Sequence, residues 1–211
     1  MRQIVAASLA FFALSAQADV LDFAGSICSA NADGSGSFTS CSNGTRINQG
    51  YGDSAAVDVT YRASSEFSNS MFFWADSYSG MSNVAYGDSS GGTPTILIMP
   101  TAGNTVTLAG FDIGSWPDAD RISQVTVVDL AGGSPLVNTG AITISGGTPT
   151  SFSINASSSV GFSIAFGPDG FNVGIDNIAF STTAVPEPAT AALLMLGLTA
   201  IGAAAHARNR S

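Results

Sequence analysis

The chain has no lysine and a single histidine, His206, close to its C-terminus. Glutamate is nearly absent as well, with only Glu66 and Glu187. Between the two ends the basic residues are Arg46, Arg62 and Arg121, set against thirteen aspartates and Glu66, and the whole chain carries a formal net charge of −9. Such a field repels phosphate backbones and other polyanions, which excludes nucleic acid as a partner. A central region without histidine cannot assemble a Ser-His-Asp or Cys-His nucleophile. It also lacks the usual ligands of catalytic zinc. No phosphate-binding glycine loop follows a strand and opens a helix. Paired carboxylates could in principle cleave a glycosidic bond, but nothing singles out a pair. The expectation is a protein that is not an enzyme. The alternative is a secreted enzyme acting on matrix polysaccharide.

Long apolar runs are confined to the ends. Arg2 precedes the run Ile4–Leu14, and Ala16-Gln17-Ala18 then precedes Asp19. A charge, a short apolar core and an Ala-x-Ala site make up a secretory signal peptide, with cleavage expected between Ala18 and Asp19. At the other end, Val185-Pro186-Glu187-Pro188 leads into Ala189–Ala205, 17 residues without a charge. That is the lower limit for a membrane helix. Arg208 and Arg210 follow and should stay on the cytoplasmic side. The two prolines break any helix entering from the globular side.

Residues 19–184 have the size of one domain. Their hydrophobic pattern has period two. It is seen in Ala55–Tyr61, Thr105–Ile113, Gln124–Leu130, Ala141–Ser145, Ser151–Ile154, Gly161–Phe166 and Gly174–Phe180. Clusters such as Gly91-Gly92-Thr93-Pro94, Gly132-Gly133-Ser134-Pro135 and Gly167-Pro168-Asp169-Gly170 punctuate the strands. No helical period appears. About eight to ten short strands predict an all-β antiparallel sandwich, because an open sheet would leave one apolar face in water.

Val-Pro-Glu-Pro-Ala, the Ala/Leu/Gly-rich span and the short Arg-containing end together resemble the PEP-CTERM sorting signal of Gram-negative bacteria, over about residues 185–211. The resemblance implies processing by exosortase, a membrane cysteine transpeptidase, with Pro186, Glu187 and Pro188 as the recognition motif. It also implies a transient inner-membrane intermediate, held by Arg208 and Arg210, and delivery to the cell surface or the exopolysaccharide matrix of a biofilm. A second resemblance covers the middle region. Leu21-Asp22-Phe23, Val106–Trp116, Val125–Asp129 and Phe171–Phe180 are similar to jelly-roll, galactose-binding-like domains. In those domains the Ile-Asp-Asn-Ile strand is the last and pairs near the first. A structural, adhesive or glycan-binding role follows as an expectation, with exopolysaccharide as a candidate partner.

Cys28 and Cys41 are the only cysteines. In an exported protein they are expected to pair, the alternative being a reactive or metal-binding couple. Calcium is the candidate cofactor. Asp22 near the first strand and Asp176 on the last could supply ligands, or could simply cap strands and face water. Asn31–Gly36 resembles the opening of a calcium loop but has no closing Glu, so an ordinary turn is its other reading. Trp116, between Gly114-Ser115 and Pro117, falls in a turn and is the candidate glycan contact. Packing beneath a loop is its alternative role. Trp74, Tyr51, Tyr78 and Tyr86 are further aromatic candidates, with Asp76, Asn83 and Asp88 as polar neighbours.

Overall fold

The computed structural model describes residues 17–64, 69–88, 92–185, 196–197 and 199–200. The expected signal peptide up to Ala16, the motif Pro186–Pro188, Arg208 and Arg210 lie outside the described residues. Among the described residues no helix is long and apolar enough to cross a membrane.

Fourteen strands are formed among the described residues. They are β1 (Gln17–Leu21), β2 (Cys28–Ser29), β3 (Phe38–Thr39), β4 (Val57–Arg62), β5 (Phe72–Trp74), β6 (Val84–Tyr86) and β7 (Thr95–Pro100), then β8 (Asn104–Ser115), β9 (Arg121–Asp129), β10 (Val137–Asn138), β11 (Ile142–Ile144), β12 (Thr150–Ser158), β13 (Phe162–Gly167) and β14 (Val173–Ala184). One sheet runs β12-β8-β14-β6-β5, with β1 also on β14, and the other runs β10-β9-β13-β7-β4, with β11 also on β9. From β7 onward the chain crosses repeatedly between the sheets, and the pairings are antiparallel. The sandwich expected from the period-two pattern is therefore present. Every alternating segment lies on a strand. The additional elements are mostly two or three residues long, too short to show alternation.

The core is the inner faces of both sheets. Val57, Val59 and Tyr61 of β4, Ile96 and Ile98 of β7, and Phe162, Ile164 and Phe166 of β13 meet Val106, Leu108, Phe111 and Ile113 of β8 and Ile175, Ile178 and Phe180 of β14. Burying such side chains contributes roughly 1.5–3 kcal/mol each, and this is the main term holding the sheets together.

Strands β12, β8 and β14 of the first sheet slip register at one level. The β14–β8 ladder shifts between Asp176 and Phe180, and the β12–β8 ladder shifts between Ser153 and Ala156. Asn177 and Asn155 take a left-handed conformation there, both at φ 53°. Asparagine tolerates that region better than bulkier residues do. At Gly110 of β8 a Cβ would overlap the Phe152 carbonyl oxygen. These bulges let the inward parity change midway, from Val106 and Leu108 to Phe111 and Ile113 on β8 and from Val173 and Ile175 to Ile178 and Phe180 on β14.

Both ends of the chain leave at one pole. Gln17 of β1 lies opposite Thr182 of β14, and the Val185 N–H donates to the Gly103 carbonyl at 2.8 Å. The first and last strands are thus neighbours. β1 starts two residues before the expected cleavage site, so cleavage after Ala18 would remove its pairs with Thr182 and Ser181 and leave those of Asp19–Leu21.

The β2–β3 hairpin is closed by a disulfide between Cys28 and Cys41, with a Cα–Cα distance of 5.1 Å. Asn31–Gly36 within it is an Asx-type turn. The Ser35 N–H and hydroxyl both donate to Asp33 Oδ1, at 2.9 and 2.7 Å, and the Gly34 N–H donates to the Asn31 carbonyl. Those bonds hold the Asp33 carboxyl below its ordinary value. Closing a loop with sequence separation 13 should stabilise by about 3 kcal/mol in the chain-entropy model. The paired change Cys28→Ser/Cys41→Ser is expected to lower unfolding free energy by roughly that amount in urea titration, with the denaturant slope little changed.

Candidate functional site

At the pole opposite the chain ends, the segments between β5 and β6, β8 and β9, and β13 and β14 come together. Their meeting depends on two glycines. Gly114 of β8 and Gly174 of β14 are cross-strand partners on the outer face of the sheet. A Cβ on Gly114 would run into the Tyr78 backbone and the end of Met81, and one on Gly174 would press on the Tyr78 ring. With no side chains there, Tyr78 lies flat on the sheet and is buried. Its hydroxyl donates to the Phe171 carbonyl at 2.9 Å. Burial pushes that hydroxyl far above the usual tyrosine range. The Ser115 N–H donates to Ser79 Oγ at 2.7 Å and the Asp118 N–H to the Ser77 carbonyl at 3.1 Å, which ties the β5–β6 segment to the end of β8.

This base supports a row of rings. Trp116 stands edge-on to Trp74, with centroids 6.0 Å apart, and to Phe171 at 6.4 Å. Trp74 and Phe171 each meet Tyr86 edge-on, at 6.1 and 5.6 Å. Tyr86 stacks on Phe72 at 5.4 Å, and the Arg46 guanidinium lies 3.8 Å over the Phe72 ring. The Trp116 backbone is fixed at both sides: its N–H donates to the Asn172 carbonyl at 2.8 Å, and its carbonyl accepts from Arg121 Nε at 2.9 Å. Phe171 is 39 % exposed. Trp116, Trp74 and Phe72 are half-buried. Fixed aromatic faces bordered by Asp169 and Asn172, themselves hydrogen-bonded at 2.9 Å, offer apolar contact and directed polar groups together.

Trp116 follows β8 into a turn, as its sequence context predicts, but it is braced by two other rings. Trp74, Tyr78 and Tyr86 join it. Tyr51 does not: it packs against Phe23 and Tyr61, with its hydroxyl accepting from the Phe23 N–H and donating to Asp22. Asp76 is exposed, Asn83 lines a separate cavity, and Asp88 lies near Arg46 with one buried oxygen lacking a hydrogen bond. Phe72, Phe171 and Arg46 belong to the cluster although the sequence pattern did not point to them. The available signal was Gly114 and Gly174, two glycines in outward positions of long strands, which mark close approach by something bulky.

Asp22 and Asp176 do come together. Both line a cavity of about 400 Å³ with Ser82, Asn83, Pro149 and Asn177. Asp176 also lies directly opposite Asp112 across the β14–β8 ladder. The donor set does not fit calcium, which takes six to eight oxygens. Asp112 accepts from the Ser151 hydroxyl at 2.6 Å and from Asn177 Nδ2 at 3.0 Å. Asp22 Oδ1 accepts from the Ala24 N–H and the Tyr51 hydroxyl. Among the described residues no three His, Cys, Asp or Glu side chains are grouped to hold a metal. Asp176 is instead 5 % exposed. Burial, opposed by the Asn177 N–H and reinforced by the charges of Asp22 and Asp112, pushes its carboxyl up to about 7.

Residues 184–210 match the family described as the PEP-CTERM protein-sorting motif. The chain therefore carries that motif, which implies processing by exosortase and indicates an exported protein sorted at the membrane or surface. The match starts at Ala184, the last residue of β14. Among curated proteins none matches this chain. Two solved structures are similar. One is the Podospora anserina GH26-CBM35 β-(1,4)-mannanase, at 15 % identity over 64 % of this chain and 29 % of that one, with a TM-score of 0.31. The other is the Phanerochaete chrysosporium exo-β-1,3-galactanase with galactose, at 19 % identity over 69 % of this chain and 30 % of that one, with a TM-score of 0.27. The chain thus spans about three tenths of each of those structures.

A carboxyl whose folded value is about 7, against 3.8 in its ordinary state, favours folding most when it is protonated in both states. The folded protein then binds more protons than the unfolded one between those two values, so stability declines as pH rises from about 4 to 7. Asp176→Asn should flatten that decline in urea titrations at stepped pH.

Proposed function

We propose that this protein is an exported β-sandwich, jelly-roll in its strand alternation, that binds polysaccharide at the cell surface or in the extracellular matrix after its tail is processed. The signal peptide is removed between Ala18 and Asp19. Ala189–Ala205 then holds the chain in the inner membrane with Arg208 and Arg210 inside, and exosortase acts near Pro186-Glu187-Pro188. What supports the binding role is the row of Trp74, Trp116 and Phe171 on a rigid sheet end. Two tryptophans and a phenylalanine are kept partly open to solvent although burial of each would stabilise the fold. Rings held edge-on have little freedom left to lose, so a sugar face can pack on them at low entropic cost. An acidic surface suits neutral or cation-bridged glycans better than free polyanions.

Two measurements test this reading. On a glycan array the intact exported protein should bind a subset of neutral polysaccharides. Trp116→Ala should weaken that binding roughly tenfold, about 1.4 kcal/mol, without loss of fold, and Trp116→Phe should restore part of it. Absence of binding across the array refutes the glycan role, and turnover of a bound polysaccharide would identify an enzyme instead. Independently, replacing Pro186, Glu187 and Pro188 with Ala in a host encoding exosortase should leave precursor in the inner membrane. Release at the wild-type rate would mean the tail is an ordinary anchor.

A further inference from the structure

The pole at which both chain ends leave the sandwich has a chemistry of its own. Three of the exposed large apolar residues lie there: Leu130 at 38 %, Val160 at 47 % and Val185 at 50 % exposure. Leu130 and the turn after β12 are joined by the Leu130 N–H to Gly161 carbonyl bond at 2.9 Å, and Val185 is joined to the β7–β8 turn through Gly103 at 2.8 Å. Basic side chains are absent from this pole among the described residues. Arg62 ends β4 at the other side, Arg121 opens β9 beside Trp116, and Arg46 sits over Phe72. Asp129, nearby, is engaged by the Ser158 hydroxyl at 2.7 Å and the Ala131 N–H at 2.9 Å.

We infer that this pole is a membrane-seating face, resting on the phospholipid interface while the tail is in the bilayer. The inference depends on the reading of Ala189–Ala205 as a span. Covalent geometry then decides the distance. The fold is still hydrogen-bonded at Val185, and the uncharged run begins at Ala189. Four Cα steps reach at most about 14 Å when fully extended. A polar headgroup layer takes up about 5–8 Å of that on each side of the hydrocarbon core. The gap left, about 6–9 Å, is smaller than the diameter of a helix, roughly 10 Å, so no folded element fits between the pole and the headgroups. The N-terminal end adds to this. β1 begins at this same pole, with Gln17 opposite Thr182. With no cation on the face, seating comes from apolar contact and not from attraction to anionic lipid.

Fluorescence of single bimane labels on the full-length chain in vesicles tests this, with Leu130→Cys and Val160→Cys at the pole and Thr148→Cys near the aromatic end. The vesicles are phosphatidylethanolamine with phosphatidylglycerol, with and without headgroup-labelled quencher lipid. Labels at 130 and 160 should be quenched about twofold or more relative to 148, and equally at low and high phosphatidylglycerol, as an apolar seat requires. A ten-residue Gly-Ser insertion after Val185 should reduce the difference. If the chain floats with the vesicles but all three labels respond alike, the seating face is wrong while the span stands. If the chain does not float with vesicles, the span reading fails and the seating face with it. Shielding at 130 and 160 that follows protein density instead of quencher lipid would show contact between copies and would also overturn the proposal.

Discussion

The antiparallel ladder between β8 and β14 is the interaction on which the rest of this structure depends. Each strand has twelve residues, and together they run from one pole to the other. Their inner side chains, Val106, Leu108, Phe111 and Ile113 with Val173, Ile175, Ile178 and Phe180, face the opposite sheet across the core. Their outer side supplies the glycine pair that seats Tyr78, and through Tyr78 the aromatic row. Their ends place Trp116 at one pole and Val185 at the other. A break in this ladder would at once separate the sheets, loosen the aromatic cluster and free the tail from the fold.

The ladder is irregular where it is most central. Asn155, the Ala109–Gly110 step and Asn177 form a band of bulges across three strands. A bulge increases local twist and bends the strand, and a bent sheet can wrap the core of its partner more closely than a flat one. The change of inward parity follows directly. It also explains the buried aspartate: Asp176 lies just before the bulge, opposite Asp112, and two ionised carboxylates so placed would repel. Keeping one of them protonated near neutral pH removes that conflict.

Much of this was legible in the sequence, for definable reasons. Strands with one wet face declare themselves by alternation, so β4, β8, β9, β12, β13 and β14 were evident, as was the pairing of first and last strands expected from Ile175-Asp176-Asn177-Ile178. The β7 segment Thr-Ile-Leu-Ile-Met-Pro has apolar residues on both faces, and it gave no period to read. Cys28 and Cys41 were predictable from compartment and number. The meeting of Asp22 and Asp176 was predictable from topology, but the hydrogen bonds that engage Asp22 and the neighbouring Asp112 were not. Phe171 and Phe72 are ordinary apolar residues in isolation. Only the three-dimensional approach of distant segments, across 93 positions in the Tyr78–Phe171 bond, makes them part of a site.

The opposite placement of the aromatic row and the chain exit also has a mechanical consequence. Tension applied between Trp116 and Val185 would run along the axes of β8 and β14. Force applied parallel to an antiparallel ladder loads its cross-strand hydrogen bonds together, in shear, whereas force across an edge opens them one after another. Ten cross-strand residue pairs connect these two strands. The longest seam of the sandwich therefore lies along the line from Trp116 to Val185, and the short strands β5, β6 and β10 stay outside that line.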